Sequence, residues 1–243
     1  MATVKSSALP QGRVVVLPRK DIMKSISKSR QTGFTLVEIA IVLVIIGLLL
    51  GGVLKGQEMI ENAKIKNLAN DLKGVSAAYY AYQDRYKAVP GDDAAAATRF
   101  VGAVNGGGNG TITGNYNAIL APSAVNESNN FWQHTRMAGF LSGTATAAIA
   151  LPPTHSAGGV LGVQAPASTY GMVGVVTCAS AVPWKIAQAL DILLDDGDSA
   201  TGTVRAGAIG VVLTAGPTVA AYGPAFVPTA VNTAGQHTVC MKI

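Results

Sequence analysis

Charge is scarce in this sequence. Asp, Glu, Lys and Arg make up only 13% of its 243 residues, about half the usual share of a soluble domain. The basic charge that exists is gathered at one end. Lys5, Arg13, Arg19, Lys20, Lys24, Lys28 and Arg30 stand against Asp21 alone within the first 33 residues, while the rest of the chain holds 11 basic and 12 acidic side chains. The formal net charge of +5 is therefore a property of the N-terminal segment, and no basic surface for nucleic acid is indicated. Catalytic constellations are missing as well. His134, His155 and His237 stand far apart with no HExxH, and no G-x-S-x-G elbow occurs, so no enzyme activity is expected. The glycine-rich stretch inside Gly102–Gly114 lacks the Gly-Lys-Ser/Thr ending of a phosphate loop and reads as a plain loop. Cysteine is limited to Cys178 and Cys240, whose spacing fits neither a zinc site nor a CxxC motif.

Proline is absent from Gln31 through Val89, which permits one long helix. The 21 residues from Phe34 to Leu54, FTLVEIAIVLVIIGLLLGGVL, contain a single charge, Glu38. As a helix they span roughly 30 Å, the hydrocarbon thickness of a bilayer. Basic residues precede this run and little charge follows it, so the short N-terminal flank should stay cytoplasmic and the remainder be exported. A cleaved secretory signal would carry its cut site after the apolar run. A simple anchor would have no use for a carboxylate near the start, because an ionised Glu in lipid is costly without a partner. Glu38 is thus a candidate functional residue.

Beyond the apolar run, Ile65, Leu68, Leu72, Val75, Tyr79, Tyr82 and Tyr86 alternate at spacings of three and four, the pattern of a packed helical stripe. Lys64, Lys66, Asn67, Asn70, Lys73 and Gln83 lie opposite. The helix is expected to run from Phe34 to about Lys87, with Val89-Pro90-Gly91-Asp92 ending it. In the remaining Ala-, Gly- and Thr-rich part, Ser128–Leu141 reads as a helix burying Trp132 and Phe140. Pro183–Leu194 reads as a second helix, with Pro183 near its first turn. Gly159–Gln164, Tyr170–Thr177, Thr203–Leu213 and Thr218–Tyr222 read as strands.

The run Gly33-Phe34-Thr35-Leu36-Val37-Glu38, placed between a basic segment and an apolar helix, resembles the cleavage and methylation motif of type IV prepilins and type II secretion pseudopilins. The resemblance is strong over residues 23 to about 90 and is only architectural beyond. It implies an α+β, type IV pilin-like fold: a long N-terminal helix, with a hydrophobic transmembrane half and an amphipathic half, packed on an antiparallel sheet head with extra short helices. It divides the chain into a removed leader (1–33), a transmembrane and polymerisation helix (34–54), the amphipathic half of that helix (55–90) and a head (91–243). It further implies cleavage between Gly33 and Phe34 by prepilin peptidase, N-methylation of Phe34, and pairing of Glu38 with the Phe34 amine of a neighbouring subunit. The implied partners are other copies in a helical filament, inner-membrane lipid before assembly, and a pilus assembly platform with its ATPase. The implied location is the bacterial inner membrane, then the cell surface. A pilus subunit, a secretion pseudopilin and a minor pilin with a binding head share these features.

Two departures accompany the resemblance. Lys55 stands where the family often has proline, so Gly47, Gly51, Gly52 and Gly56 are left to supply local weakness in the helix. Counted from Met1 the leader has 33 residues; counted from Met23 it is the shorter MKSISKSRQTG, and Met23 is the expected start. Export makes a Cys178–Cys240 disulfide the expectation over two unrelated buried thiols. Finally, Asp191, Asp195, Asp196 and Asp198 cluster around Gly197, and Asp195, Asp196 and Asp198, which crowd one turn, are the candidate ligands. They read either as a capped, acidic helix end or as oxygen ligands for calcium, an ion held by some pseudopilins.

Overall fold

The computed structural model describes residues 33–117, 122, 126–146, 150–165, 170–208, 222 and 235–243. The chain divides into two compact units, Met1–Leu49 and Leu50–Ile243. Helix α1, Leu36–Tyr86, contributes to both. In the first unit it is apolar on every side, and it continues unbroken through Gly47, Gly51, Gly52 and Gly56. It is long and apolar enough to cross a membrane.

Within the second unit the three-four stripe does what its spacing predicts. Leu68, Leu72, Val75, Tyr79 and Tyr82 are buried, and Ile65 and Tyr86 at the stripe's ends are half-buried. Lys66, Asn67, Asn70 and Lys73 face solvent. The helix stops at Tyr86 because Lys87 adopts a left-handed backbone (φ 53°), the usual geometry of a helix C-terminus.

The sheet is four-stranded and antiparallel in the order β1-β2-β4-β3, made of Leu161–Gln164, Val176–Pro183, Gln236–Lys242 and Val204–Ala208 for β1, β2, β4 and β3. The α+β, pilin-like class expected from sequence is the one found. Side chains alternate between the two faces. Leu161, Val163, Ala179, Val239, Val204 and Ala206 join Leu68, Leu72 and Val75 of α1 in one core. Helix α3, Glu127–Met137, adds Phe131 and Trp132 to it, and α4, Trp184–Leu194, adds Ile186 and Leu190. The opposite face is not left to water. Val176, Cys178 and Cys240 pack with Tyr116, Tyr170 and Met172. Tyr116 lies so close that a Cβ on Gly162 would fall on its backbone. Its amide donates to the Gln164 side-chain carbonyl (3.0 Å), and the Tyr170 hydroxyl donates to the Thr238 carbonyl (3.0 Å).

Several sequence expectations are corrected. The strand expected at Tyr170–Thr177 begins only at Val176. Tyr170, Gly171 and Gly174 have positive φ, so that stretch turns and covers the sheet instead of joining it. Helix α3 ends at Met137 rather than Leu141, stopped at Gly139 (φ 78°), and Phe140 is half-buried. Pro183 is the N-cap of α4 and also the last residue of β2. Strand β4 was not anticipated, nor was the short helix α2, Ala96–Arg99. Of the strand expected at Thr203–Leu213, Val204–Ala208 is found, and the part beyond Ala208 lies outside the described residues. So does the strand expected at Thr218–Tyr222, apart from Tyr222 in a bend.

The glycine-rich loop is organised by two buried carboxylates. Asp92 accepts the amides of Asn109 (3.1 Å) and Gly110 (2.6 Å). Glu127 accepts those of Gly107 (2.7 Å) and Thr113 (2.8 Å). A buried carboxylate needs such donors; here the loop backbone provides them, and the two acids fix the loop's path in return.

Candidate processing and assembly site

Every residue from Gly33 to Lys55 is exposed, including Phe34 at 83% and Leu36 at 90%. Helix α1 begins in this segment with a reciprocal cap. The Thr35 backbone amide and hydroxyl both donate to Glu38 Oε2, at 2.8 and 2.9 Å, and the Glu38 amide donates back to the Thr35 hydroxyl at 3.2 Å. This is the Thr-x-x-Glu capping box, which satisfies donors that the first turn otherwise leaves unpaired. The sequence reading singled out Glu38 and passed over Thr35. The signal was available, since Ser/Thr followed three residues later by Glu ahead of an apolar run marks a helix start.

Gly33 has no positive φ, and a Cβ added there would meet nothing within 4 Å. The fold therefore places no demand on glycine at this position. The contrast is Gly91, with φ +97° and the Glu127 carbonyl in the way of any Cβ.

In the head, Cys178 and Cys240 are directly opposite one another on β2 and β4 and form a disulfide. The bond joins two neighbouring central strands, so it ties the late strand β4 to β2 across 62 positions of sequence.

The acidic corner differs from its sequence reading. The carboxylates brought together are those of Asp191, Asp195 and Asp196, with one oxygen of each lying within 4.8 Å of the others. Asp198 turns away and accepts the Ala200 amide (3.0 Å). Asp195 accepts the amides of Thr203 and Val204, and Asp196 accepts the Asp198 amide (2.9 Å) and the Thr201 hydroxyl (2.5 Å). Asp191 is fully buried in α4. It accepts the Tyr222 hydroxyl on Oδ2 (2.6 Å), and the Gly197 amide also favours its ionised form, though among the described residues no well-formed hydrogen bond reaches its Oδ1. Burial above all, helped by the charges of Asp196 and Asp195, raises its carboxyl above the usual range.

Residues 28–54 match the family model of the prokaryotic N-terminal methylation motif. Comparison with curated proteins and with solved structures returned no match. The N-terminal segment thus carries the prepilin-type cleavage and methylation signature, which makes the chain type IV pilin- or pseudopilin-like.

Proposed function

We propose that this chain is a filament subunit of the type IV pilus kind, cut between Gly33 and Phe34 by prepilin peptidase, methylated on the new Phe34 amine and polymerised through the first half of α1. The observation that carries the reading is a wholly exposed apolar stretch headed by one carboxylate. So large an apolar surface needs lipid or other protein around it. Before assembly that surroundings is the inner membrane; afterwards it is the same stretch of neighbouring copies, in a filament built at the cell surface by an assembly platform and its ATPase. Glycine at position 33, which the fold does not require, is accounted for by recognition from outside the chain.

Cleavage creates an ammonium at the head of the helix, with Glu38 about one turn further on. Either charge alone is costly in lipid, and pairing between copies relieves both. Glu38→Ala tests this reading. The expected result is a normally cut, membrane-held subunit with few or no filaments in sheared surface material under the electron microscope. Abundant filaments built from the Glu38→Ala chain alone would remove the pairing from the account.

The acidic corner supports a second, separate reading as a calcium site. Hard divalent cations take carboxylate oxygens, and the buried Asp191 carboxylate lies with those of Asp195 and Asp196, one oxygen of each within 4.8 Å of the others.

A further inference from the structure

The glycine-rich loop holds two Asn-Gly pairs, Asn105-Gly106 and Asn109-Gly110, and the fold treats them differently. At the second pair, Asn109 Oδ1 accepts both the Thr111 amide (2.9 Å) and the Thr111 hydroxyl (2.7 Å). The Gly110 amide donates to Oδ2 of the buried Asp92 at 2.6 Å, and the Asn109 amide donates to Oδ1 of the same carboxylate at 3.1 Å. Asn109, Gly110 and Thr111 themselves are exposed. At the first pair, Asn105 Oδ1 accepts the Ala97 amide (2.7 Å), and the Gly106 amide donates to the Asp93 backbone carbonyl (2.9 Å). The Asp92 backbone lies against Gly106, where any Cβ would collide with it. We infer that Asn109-Gly110 is a self-modifying site: the Gly110 nitrogen attacks Asn109 Cγ, with Asp92 as general base and Thr111 as oxyanion donor, while Asn105-Gly106 in the same loop is protected. The inference stands apart from the filament reading.

The attack closes a five-membered succinimide ring. A bond forms between Gly110 N and Asn109 Cγ, and the amide proton passes to Asp92 Oδ2, which already accepts it. Negative charge gathers on Asn109 Oδ1 in the tetrahedral intermediate, where two donors are already aimed. The Cγ–Nδ2 bond then breaks, and the departing nitrogen takes the proton from Asp92 and leaves as ammonia. Water reaches the exposed ring and opens it at either carbonyl, which leaves aspartate or isoaspartate at position 109. One water is taken up and one ammonia released, with no oxidation or reduction. An amide nitrogen is a poor nucleophile until it loses its proton, and a positioned base is worth about 100-fold or more. Asn105 has a donor on its side-chain carbonyl, but its glycine amide faces a backbone carbonyl, which takes up no proton. The product places a further carboxylate beside Asp92, in the loop whose path Asp92 and Glu127 fix. The surface of the head thus changes without an enzyme.

The test follows the full chain in detergent over time, once folded and once unfolded in guanidinium chloride. Fragment-ion mass spectrometry reads conversion separately at positions 105 and 109, and an isoaspartate-specific methyltransferase labels the ring-opened product. In the folded chain Asn109 should convert about tenfold faster than in the unfolded chain, which keeps the dipeptide but loses the base and the donors. Asn105 should convert more slowly folded than unfolded. Thr111→Val keeps the amide donor and removes the hydroxyl, and it should slow Asn109 in the folded chain about tenfold. Asp92→Asn should bring Asn109 down to its unfolded rate. Asn105 monitors the loop in that variant: where its rate rises to the unfolded value the loop has opened, and Thr111→Val, at an exposed position, decides alone. An Asn109 that converts no faster folded than unfolded would overturn the inference. So would equal conversion at 105 and 109 in the folded chain, or a Thr111→Val chain that converts as wild type does.

Discussion

Between Gly33 and Lys55 no side chain of α1 is buried, whereas between Leu68 and Tyr82 the same helix buries seven. The two halves differ in apolar content and in pattern. The first is apolar on all sides, so no rotation about its axis gives it a wet face and a dry face. The second confines its apolar residues to one stripe. The stripe is covered by the chain's own sheet and helices, whereas the first half is left exposed. On the proposed reading a single regular helix serves two burial events, one intramolecular and one intermolecular. Mutations should separate them.

The largest separation is expected from the disulfide. Replacing Cys178 and Cys240 together by Ala should lower the stability of the second unit by about 4 kcal/mol, from the entropy of a loop of this size. Membrane insertion of the first half should be unchanged. Denaturant unfolding of the full chain in detergent, followed by tryptophan fluorescence, gives the first quantity, and membrane fractionation the second. A variant that unfolds at the wild-type midpoint would mean that the cross-strand bond adds nothing to the head.

Paired truncations come next. Leu72→Ala, at a fully buried position, should cost about 3 kcal/mol in the same unfolding experiment. Leu48→Ala, in the exposed half, should stay within about 0.5 kcal/mol of wild type. Equal effects at the two positions would dissolve the distinction between the halves.

Acid should act on the head. The His134 ring accepts the Gly91 amide on Nδ1 (2.9 Å) and contacts the Val104 carbonyl with Nε2 (2.7 Å). With Nδ1 an acceptor and Nε2 the donor, that arrangement requires the neutral ring. Burial, the main cause, lowers the His134 pKa, aided by the Arg99 charge; the Val104 carbonyl and the Asp93 and Glu127 charges oppose it. Burial also lowers that of His155 against its bond to the Ser180 carbonyl and the Asp71 charge. With folded values below the unfolded one, the unfolded chain binds more protons across the interval between them. Stability is then full above about pH 6.5 and falls as pH drops towards the folded values. The head's melting midpoint should therefore be lower at pH 5 than at pH 7. A midpoint that does not fall over that range would contradict the role given to the two rings.

The smallest effect expected is from calcium. About 1 mM calcium should stabilise the head by about 1 kcal/mol if the acidic corner binds it in the range of extracellular sites. Asp195→Asn should remove the shift. No shift in the wild-type chain would leave the corner as a hydrogen-bonded helix end.

The legible parts of this molecule were those determined by near neighbours in sequence. Residues 33–38 and the α1 stripe could be read because a motif and a period are local. The middle of the sheet could not. Gln236-His237-Thr238 looks polar, yet Thr238 is fully buried because Tyr116 and Tyr170 arrive from distant loops to cover its face, and His237 is fully buried on the opposite face, beside the Tyr222 ring. Tyr170 and Met172 in turn look like strand residues, because a residue that covers a sheet is as apolar as one that belongs to it. Asp92 and Glu127 gave no signal at all. Their task is to accept amides from a loop lying between them in sequence, and only the folded path brings those amides to them. At the acidic corner the sequence showed the cluster but not which three carboxylates meet. Asp191 faces the cluster from the last turns of α4, and Asp198 is occupied by its own turn.

The most direct test of the central claim is the N-terminus of the mature, exported protein. Intact mass combined with N-terminal sequencing should give a chain that begins at Phe34, carries one added methyl group and holds the Cys178–Cys240 bond. The Gly33→Val chain should accumulate uncut in the membrane. A mature protein beginning beyond Leu54 would show that the apolar run is a discarded signal, and with it the account of α1 as an assembly helix would fall.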